Sequence, residues 1–298
     1  MRCLAFTVTK LVFEQLCRLD ENSFLHKHRK GCCAMKVSTC SHRPILVPCD
    51  LKSCDYQIDP YVGCEHSCYY CYVLNQAETD WSKEVRIYKD IAGQLLGELE
   101  NVSPQTIYMG WHTDPYQPCE AECRQTRKVL EQLLDKGFSV SILTKSDLVL
   151  RDMDLLASMQ NARVSVSVSF NDNDVRRLFE ANTIDTEARI LALRELKSVG
   201  VGTSALICPV IPYITDVKPL IDLLADHTEK IWIYGLSILS TSDSNWRNVN
   251  AILEQHFSEL KVKIEDVVFS KEHAYWRTLR RELLQLQEEY KPIFEVHV

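Results

Sequence analysis

Cys64, Cys68 and Cys71, in the segment Asp59–Tyr72 (DPYVGCEHSCYYCY), are the residues of this 298-residue chain whose types and spacing speak most directly of chemistry. Thiolates spaced CxxxCxxC can wrap one corner of an iron–sulfur cubane and ligate three of its irons. The fourth iron is then left without a protein ligand, and an open coordination position is what a reacting centre needs. The same thiols could instead enter a zinc site, with a fourth ligand from Cys49, Cys54 or His66. Zinc modules usually pair two such units across a spacer, whereas here Cys68 and Cys71 form one CxxC unit alone. A non-catalytic zinc-binding or adaptor protein is the corresponding alternative in function.

Thirteen cysteines are present, ten of them in the first 71 residues, followed by Cys119, Cys123 and Cys208. A secreted disulfide scaffold would be shorter and would spread them evenly, so ligation in a reducing compartment is the better account. Hydrophobic residues make up 46% and charged residues 25%, as in an ordinary globular protein. The net charge of −7 argues against strong non-specific binding of nucleic acid, which needs clustered Lys and Arg. No apolar run reaches 18 residues and the first 16 lack a signal-peptide core, so a cytoplasmic protein without a membrane span is expected.

Elements able to position a cluster follow from hydropathy periodicity. Strands are expected at Tyr56–Val62, Thr106–Trp111, Phe138–Thr144, Arg163–Phe170, Val201–Ile211 and Lys230–Ile238. Helices are expected at Cys119–Asp135, Leu148–Met159, Asp174–Glu180, Asp185–Ser198, Val217–Asp226, Asn245–Glu259 and Ala274–Glu289. Alternation of this kind implies parallel strands with right-handed crossovers, and about six units imply an open barrel. The expected architecture is α/β, a partial (β/α)6 TIM-type barrel with an N-terminal extension and a helical C-terminal tail. Residues 1–50 form the extension, partly unstructured around the basic stretch Leu25–Cys33, with Met35 an alternative start; residues 51–298 form the barrel domain.

The motif CxxxCxxC with an aromatic before its last cysteine resembles the signature of radical S-adenosylmethionine enzymes. The longer segment 59–72, with TDPYQP at 113–118, LTKSDLVLRDMDLL at 143–156, SVSF at 167–170 and PVIPYITD at 209–216, resembles the spore photoproduct lyase-like, or DNA repair photolyase-like, subgroup. The resemblance runs from about residue 55 to 240. It implies a [4Fe–4S] cluster on Cys64, Cys68 and Cys71, with S-adenosylmethionine chelated at the open iron through its amine and carboxylate. Reductive cleavage would give a 5′-deoxyadenosyl radical, with a reductase or a flavodoxin- or ferredoxin-type protein as electron donor and a nucleic-acid base as substrate. RNA, a peptide or a small metabolite are alternative substrates.

Residue by residue, the resemblance places Tyr70 near the adenine and Ile211 packed upon it. Thr113 and Asp114, ending the second strand, would bind the methionine amine or the ribose; for Asp114 a turn with Pro115 is the structural alternative. Lys145 would meet the methionine carboxylate, and Ser167 and Ser169, which share one face of a strand, would bind the ribose or satisfy each other. The lyase returns its hydrogen through a cysteine just before its Ser/Thr–Asp pair, and the stretch Gly110–Asp114 here has none. Cys119 and Cys123 share a helix face and are expected to pack, though a thiol there could also donate hydrogen. His112 is an acid–base candidate, and Trp111 and Tyr116 could stack on a base.

Overall fold

The structure, a computed structural model, describes residues 35–40 and 43–298. The basic stretch Leu25–Cys33, the start at Met1 and the cysteines before Cys40 lie outside the described residues. The first strands are β1 (Lys36–Thr39), β2 (Leu46–Pro48), β3 (Tyr56–Ile58), β4 (Tyr61–Val62) and β5 (Glu84–Ile87). The boundary expected at residue 50 therefore falls inside folded structure, because β2 pairs antiparallel with β3 and β1 pairs parallel with β5. The single strand expected over 56–62 is divided by Pro60, which has no N–H to continue a ladder. After it, β4 leaves the main sheet and pairs antiparallel with β5.

Beyond α1 (Ile91–Glu98), strand and helix alternate: β6 (Thr106–Met109), α2 (Glu120–Cys123), α3 (Gln125–Asp135), β7 (Ser139–Thr144), α4 (Met153–Ser158), β8 (Arg163–Ser167), α5 (Asn173–Phe179), α6 (Thr186–Ser198), β9 (Gly202–Val210), α7 (Val217–Leu224) and β10 (Lys230–Gly235). The helix expected over 119–135 is broken at Arg124, whose φ of 52° lies in the left-handed region. The cause is tertiary: the buried Glu120 carboxylate accepts the N–H groups of Thr126 and Arg127 and caps a new start there. The tail contains α8 (Ser244–His256), α9 (Ser258–Val268) and α10 (Ala274–Leu286), then ends in β11 (Ile293–His297), a strand absent from the sequence reading.

The main sheet runs β11-β10-β9-β8-β7-β6-β3-β2, parallel throughout except for β2. Its two edges are not paired with each other, so the barrel is partial and open. Alternation separates its faces. Ile107, Val140, Ile142, Val164, Ile207 and Ile233 turn to the helices and are fully buried. Tyr108, Ser141, Ser165, Cys208, Trp232 and Tyr234 turn to the concave side and are half-buried. Among the described residues, no helix is long and apolar enough to cross a membrane.

Strand β6 ends at Gly110, whose φ is 102° and whose added Cβ would lie 2.4 Å from the Leu143 carbonyl oxygen. Gly97, in α1, has open space around it. The same substitution should therefore have opposite signs. In urea unfolding, Gly110→Ala is expected to cost about 2 kcal/mol, and Gly97→Ala to gain about 0.5 kcal/mol.

Candidate active site

Cys64, Cys68 and Cys71 lie in the loop between β4 and a short 3-10 turn at Tyr72–Gln76, beyond the carboxyl ends of the strands. Tight turns, with Ser67 N donating to Cys64 O and Cys71 N to Cys68 O, give the loop its curl. Ser67 has a φ of 44°, a strained value for a residue with a Cβ. Cys64 and Cys68 are buried and Cys71 is half-buried. The backbone N–H groups of Asp114 and His66 pull the Cys64 pKa down, and those of Val73 and Leu74 that of Cys71, though not enough to offset burial. Burial pushes the Cys64 thiol up to about 12 and those of Cys68 and Cys71 above the ordinary thiol value.

Thiols in such surroundings suit ligands whose charge a metal cluster takes up on deprotonation. Among the described residues, no group of three His, Cys, Asp or Glu side chains surrounds a single-ion position. A cubane takes each thiolate on a different iron, so the donors need not converge as tetrahedral zinc requires. His66, a candidate zinc ligand, instead sits between Asn182 O at 3.2 Å and Asp114 Oδ2 at 3.2 Å.

Between Cys68 and Cys71, Tyr70 turns inward, and its hydroxyl donates to Glu180, just past the end of α5. Glu180 is fully buried, with Arg189 Nη2 2.5 Å from Oε2 and Lys145 Nζ 3.9 Å from Oε1. Burial opposes its charge, but Arg189, Lys145 and Tyr70 hold its carboxyl down to about 2. Lys145 Nζ also donates to Ser167 Oγ at 2.7 Å and lies 5.8 Å from the Tyr70 ring centroid. Burial works against this ammonium too, but Glu180 and Cys68 keep its pKa raised. The fully buried Ser167 and Ser169 both donate to the Cys208 carbonyl, Ser169 at 2.5 Å. Ile211 is fully buried in one cluster with Cys68 and Tyr70.

The Thr113–Asp114 pair faces the loop. Thr113 Oγ1 donates to Gly63 O at 2.6 Å, and Gln117 Nε2 donates to both. Asp114 accepts from Thr144 Oγ1, Lys145 N and Tyr116 N at 2.7–2.8 Å, the last being an Asx-type turn. Burial pulls its pKa upward, yet the neighbouring His66 and these donors leave it lowered. His112 Nδ1 lies 2.9 Å from Asp59 Oδ2, and that bond raises its pKa against partial burial. Trp111 packs edge-on against Tyr72 and Tyr108, while Tyr116 is fully buried. Cys119 and Cys123 are half-buried.

Residues 58–224, from the end of β3 to the end of α7, match the model of the Radical SAM superfamily. The chain belongs to that superfamily. Its members use a [4Fe–4S] cluster and S-adenosylmethionine. This radical SAM chain is 29% identical to an uncharacterised protein of Methanocaldococcus jannaschii, over 71% of the chain and 80% of the relative. It is 32% identical to an uncharacterised protein of Mycobacterium tuberculosis, over 61% of the chain and 57% of the relative. A spore photoproduct lyase mutant with bound AdoMet and dinucleoside spore photoproduct shares the fold, with a TM-score of 0.57, 15% identity and coverage of 87% and 80%. So does Streptococcus suis SuiB bound to S-adenosylmethionine, with a TM-score of 0.55, 13% identity and coverage of 81% and 50%.

Three residues that the structure brings to the candidate site escaped the sequence reading. Glu180 and Arg189 stand 9 apart, across a turn from one helix into the next, a spacing with no periodic meaning. Gln117 lies within the quoted block TDPYQP but carried no chemistry of its own. Because Glu180 keeps its charge down to about 2, its contribution to stability is complete above the ordinary carboxyl value of 4.5 and drains away below it. Glu180→Gln leaves Arg189 unpaired and should cost about 3–5 kcal/mol at pH 7. Urea titrations should show the native protein losing stability between pH 4.5 and about 2, and the variant losing less over that window.

Proposed function

We propose that this chain generates its radical at a [4Fe–4S] cluster held by Cys64, Cys68 and Cys71, and acts on a nucleic-acid base in a lyase-type reaction of the DNA repair photolyase-like kind. The observation that carries the reading is the CxxxCxxC loop with Cys64 and Cys68 buried and Cys71 half-buried, flanked by the Tyr70–Glu180–Lys145 network. When bound, the cluster and S-adenosylmethionine supply one-electron, hydrogen-abstracting chemistry.

The chain's residues supply place and charge. Tyr70 and Ile211 offer the apolar wall for an adenine, and Ser167 and Ser169 the hydroxyls for a ribose. Lys145, already held near the loop by Ser167 and Glu180, offers its ammonium to the methionine carboxylate. Thr113 and Asp114 act as positioning residues, because their polar atoms are spent on Gly63, Thr144 and the Lys145 backbone. A reductase or a flavodoxin- or ferredoxin-type partner delivers the electron.

The base as substrate rests on the fold shared with a lyase holding a dinucleoside photoproduct. The net charge of −7 speaks against recognition led by phosphate contacts. A peptide substrate is the second reading, favoured by the fold shared with SuiB bound to precursor peptide.

Anaerobic reconstitution should give about four irons and four sulfides per chain. Dithionite and S-adenosylmethionine should then yield 5′-deoxyadenosine, and Cys64→Ala or Cys68→Ala should abolish both. Bound zinc without sulfide, and no cleavage, would overturn the reading. Lys145→Met should retain the irons and weaken S-adenosylmethionine binding about tenfold in equilibrium dialysis, the loss of one charge-assisted contact.

A further inference from the structure

Acidic residues outnumber Lys and Arg in this chain by 41 to 34, so an arginine has carboxylates to choose from. Arg127, Arg151, Arg163 and Arg177 each take one. Helix α10 departs from that pattern. Its Arg277, Arg280 and Arg281 are exposed, and among the described residues none of the three forms an ion pair. Arg277 donates to the Glu272 carbonyl and Arg280 to the Val298 carbonyl, while Arg281 has no hydrogen-bond partner among the described residues. Positions i, i+3 and i+4 share one helix face, so the three guanidiniums stand together. With Leu284, Gln285 and Glu288 they line a shallow depression of about 400 Å³. Glu288 stands two turns beyond Arg281 and leaves the arginine end uncompensated.

This face lies at the rim of the barrel mouth. Trp276 packs against Gly235, at the carboxyl end of β10, where an added Cβ would lie 3.3 Å from its ring. Arg280 reaches the carbonyl of Val298, just beyond the end of the edge strand β11. The cysteine loop also lies beyond the carboxyl ends of the strands. A ligand stretched along α10 is therefore beside the opening of the concave face. Guanidinium forks take phosphate oxygens two at a time, and a row of them suits a run of phosphates better than one isolated anion. Negative charge over the rest of the surface repels a polyanion and sharpens its preference for this face. Three such contacts orient a strand without dominating its affinity, in keeping with a net charge of −7.

We propose that Arg277, Arg280 and Arg281 hold the phosphates of a single nucleic-acid strand along α10, at the rim of the mouth. This deepens the reading of a nucleic-acid substrate and rests on it.

The test uses the anaerobically reconstituted holoenzyme, saturating S-adenosylmethionine and a fluorescein-labelled single-stranded oligothymidylate, read by anisotropy over a range of KCl concentrations. Each phosphate contact contributes about 0.7 to the slope of log affinity against log salt, so the double variant Arg277→Gln/Arg281→Gln should lower the slope by about 1.4 and weaken binding about tenfold at ~0.1 M salt. Arg281→Gln alone should give about half that change in slope. Arg163→Gln removes an exposed arginine paired with Glu229 at the amino end of β8 and should change neither quantity. Iron content per chain identifies a variant that fails to fold, and Arg281→Gln, at a side chain without a partner, carries the comparison if the double variant does. An unchanged slope in the α10 variants overturns the phosphate site, and equal weakening by Arg163→Gln does so too, by assigning the effect to net charge. Displacement by polyglutamate as readily as by unlabelled oligonucleotide overturns the nucleic acid as occupant and assigns the face to an acidic protein. Absence of binding by the native protein strikes the nucleic-acid reading itself, whereas binding indifferent to the α10 variants strikes the rim site alone.

Discussion

A carboxylate sealed from water must find positive partners or give up its charge, and Glu180 has recruited three elements to keep it. Arg189 comes from α6, Lys145 from the end of β7, and the Tyr70 hydroxyl from the cysteine loop itself. Moving any one of them leaves a buried charge short of a partner, at a cost of several kcal/mol. Tyr70 stands between Cys68 and Cys71, so fixing its ring fixes the stretch that carries both thiols. Lys145 is fixed at its other end as well, because its backbone N–H donates to Asp114. The barrel thereby imposes the shape of a loop that has few hydrogen bonds of its own.

The other side of the loop is held from β6. Thr113 and Gln117 grip the Gly63 carbonyl, Gln117 Oε1 accepts from Glu65 N at 2.8 Å, and Asp114 faces His66. Cys64 lies between Gly63 and His66, so its sulfur is placed by contacts that do not touch it.

What could be read from the sequence was whatever repeats or is local. Period-two alternation in RVSVS and buried runs in IWI marked strands to within a few residues. The cysteine motif is confined to one loop and needed no knowledge of the fold. Features made by tertiary contact were not legible. Helix propensity runs unbroken across 119–135, and the break at Arg124 comes from Glu120, whose carboxylate is needed by Arg151 and by N–H groups at the next helix start. Strand β11 is 5 residues long after a proline and draws its place from pairing with β10. Glu180 looked like any acidic residue near a helix end until burial made its charge consequential.

A closed eight-stranded barrel fills its interior with branched side chains and reacts at its rim. Here the strands stop short of closure, and the residues turned inward are of another kind. Serines at 141, 165, 167 and 204, a thiol at 208 and the rings of Trp232 and Tyr234 replace the expected valines and isoleucines. Those inward positions contribute little apolar burial, so the stability of the sheet rests on its helix-facing side, where the fully buried aliphatic residues lie. Separating the two tasks by strand parity lets the interior carry polar and reactive groups without loosening the fold.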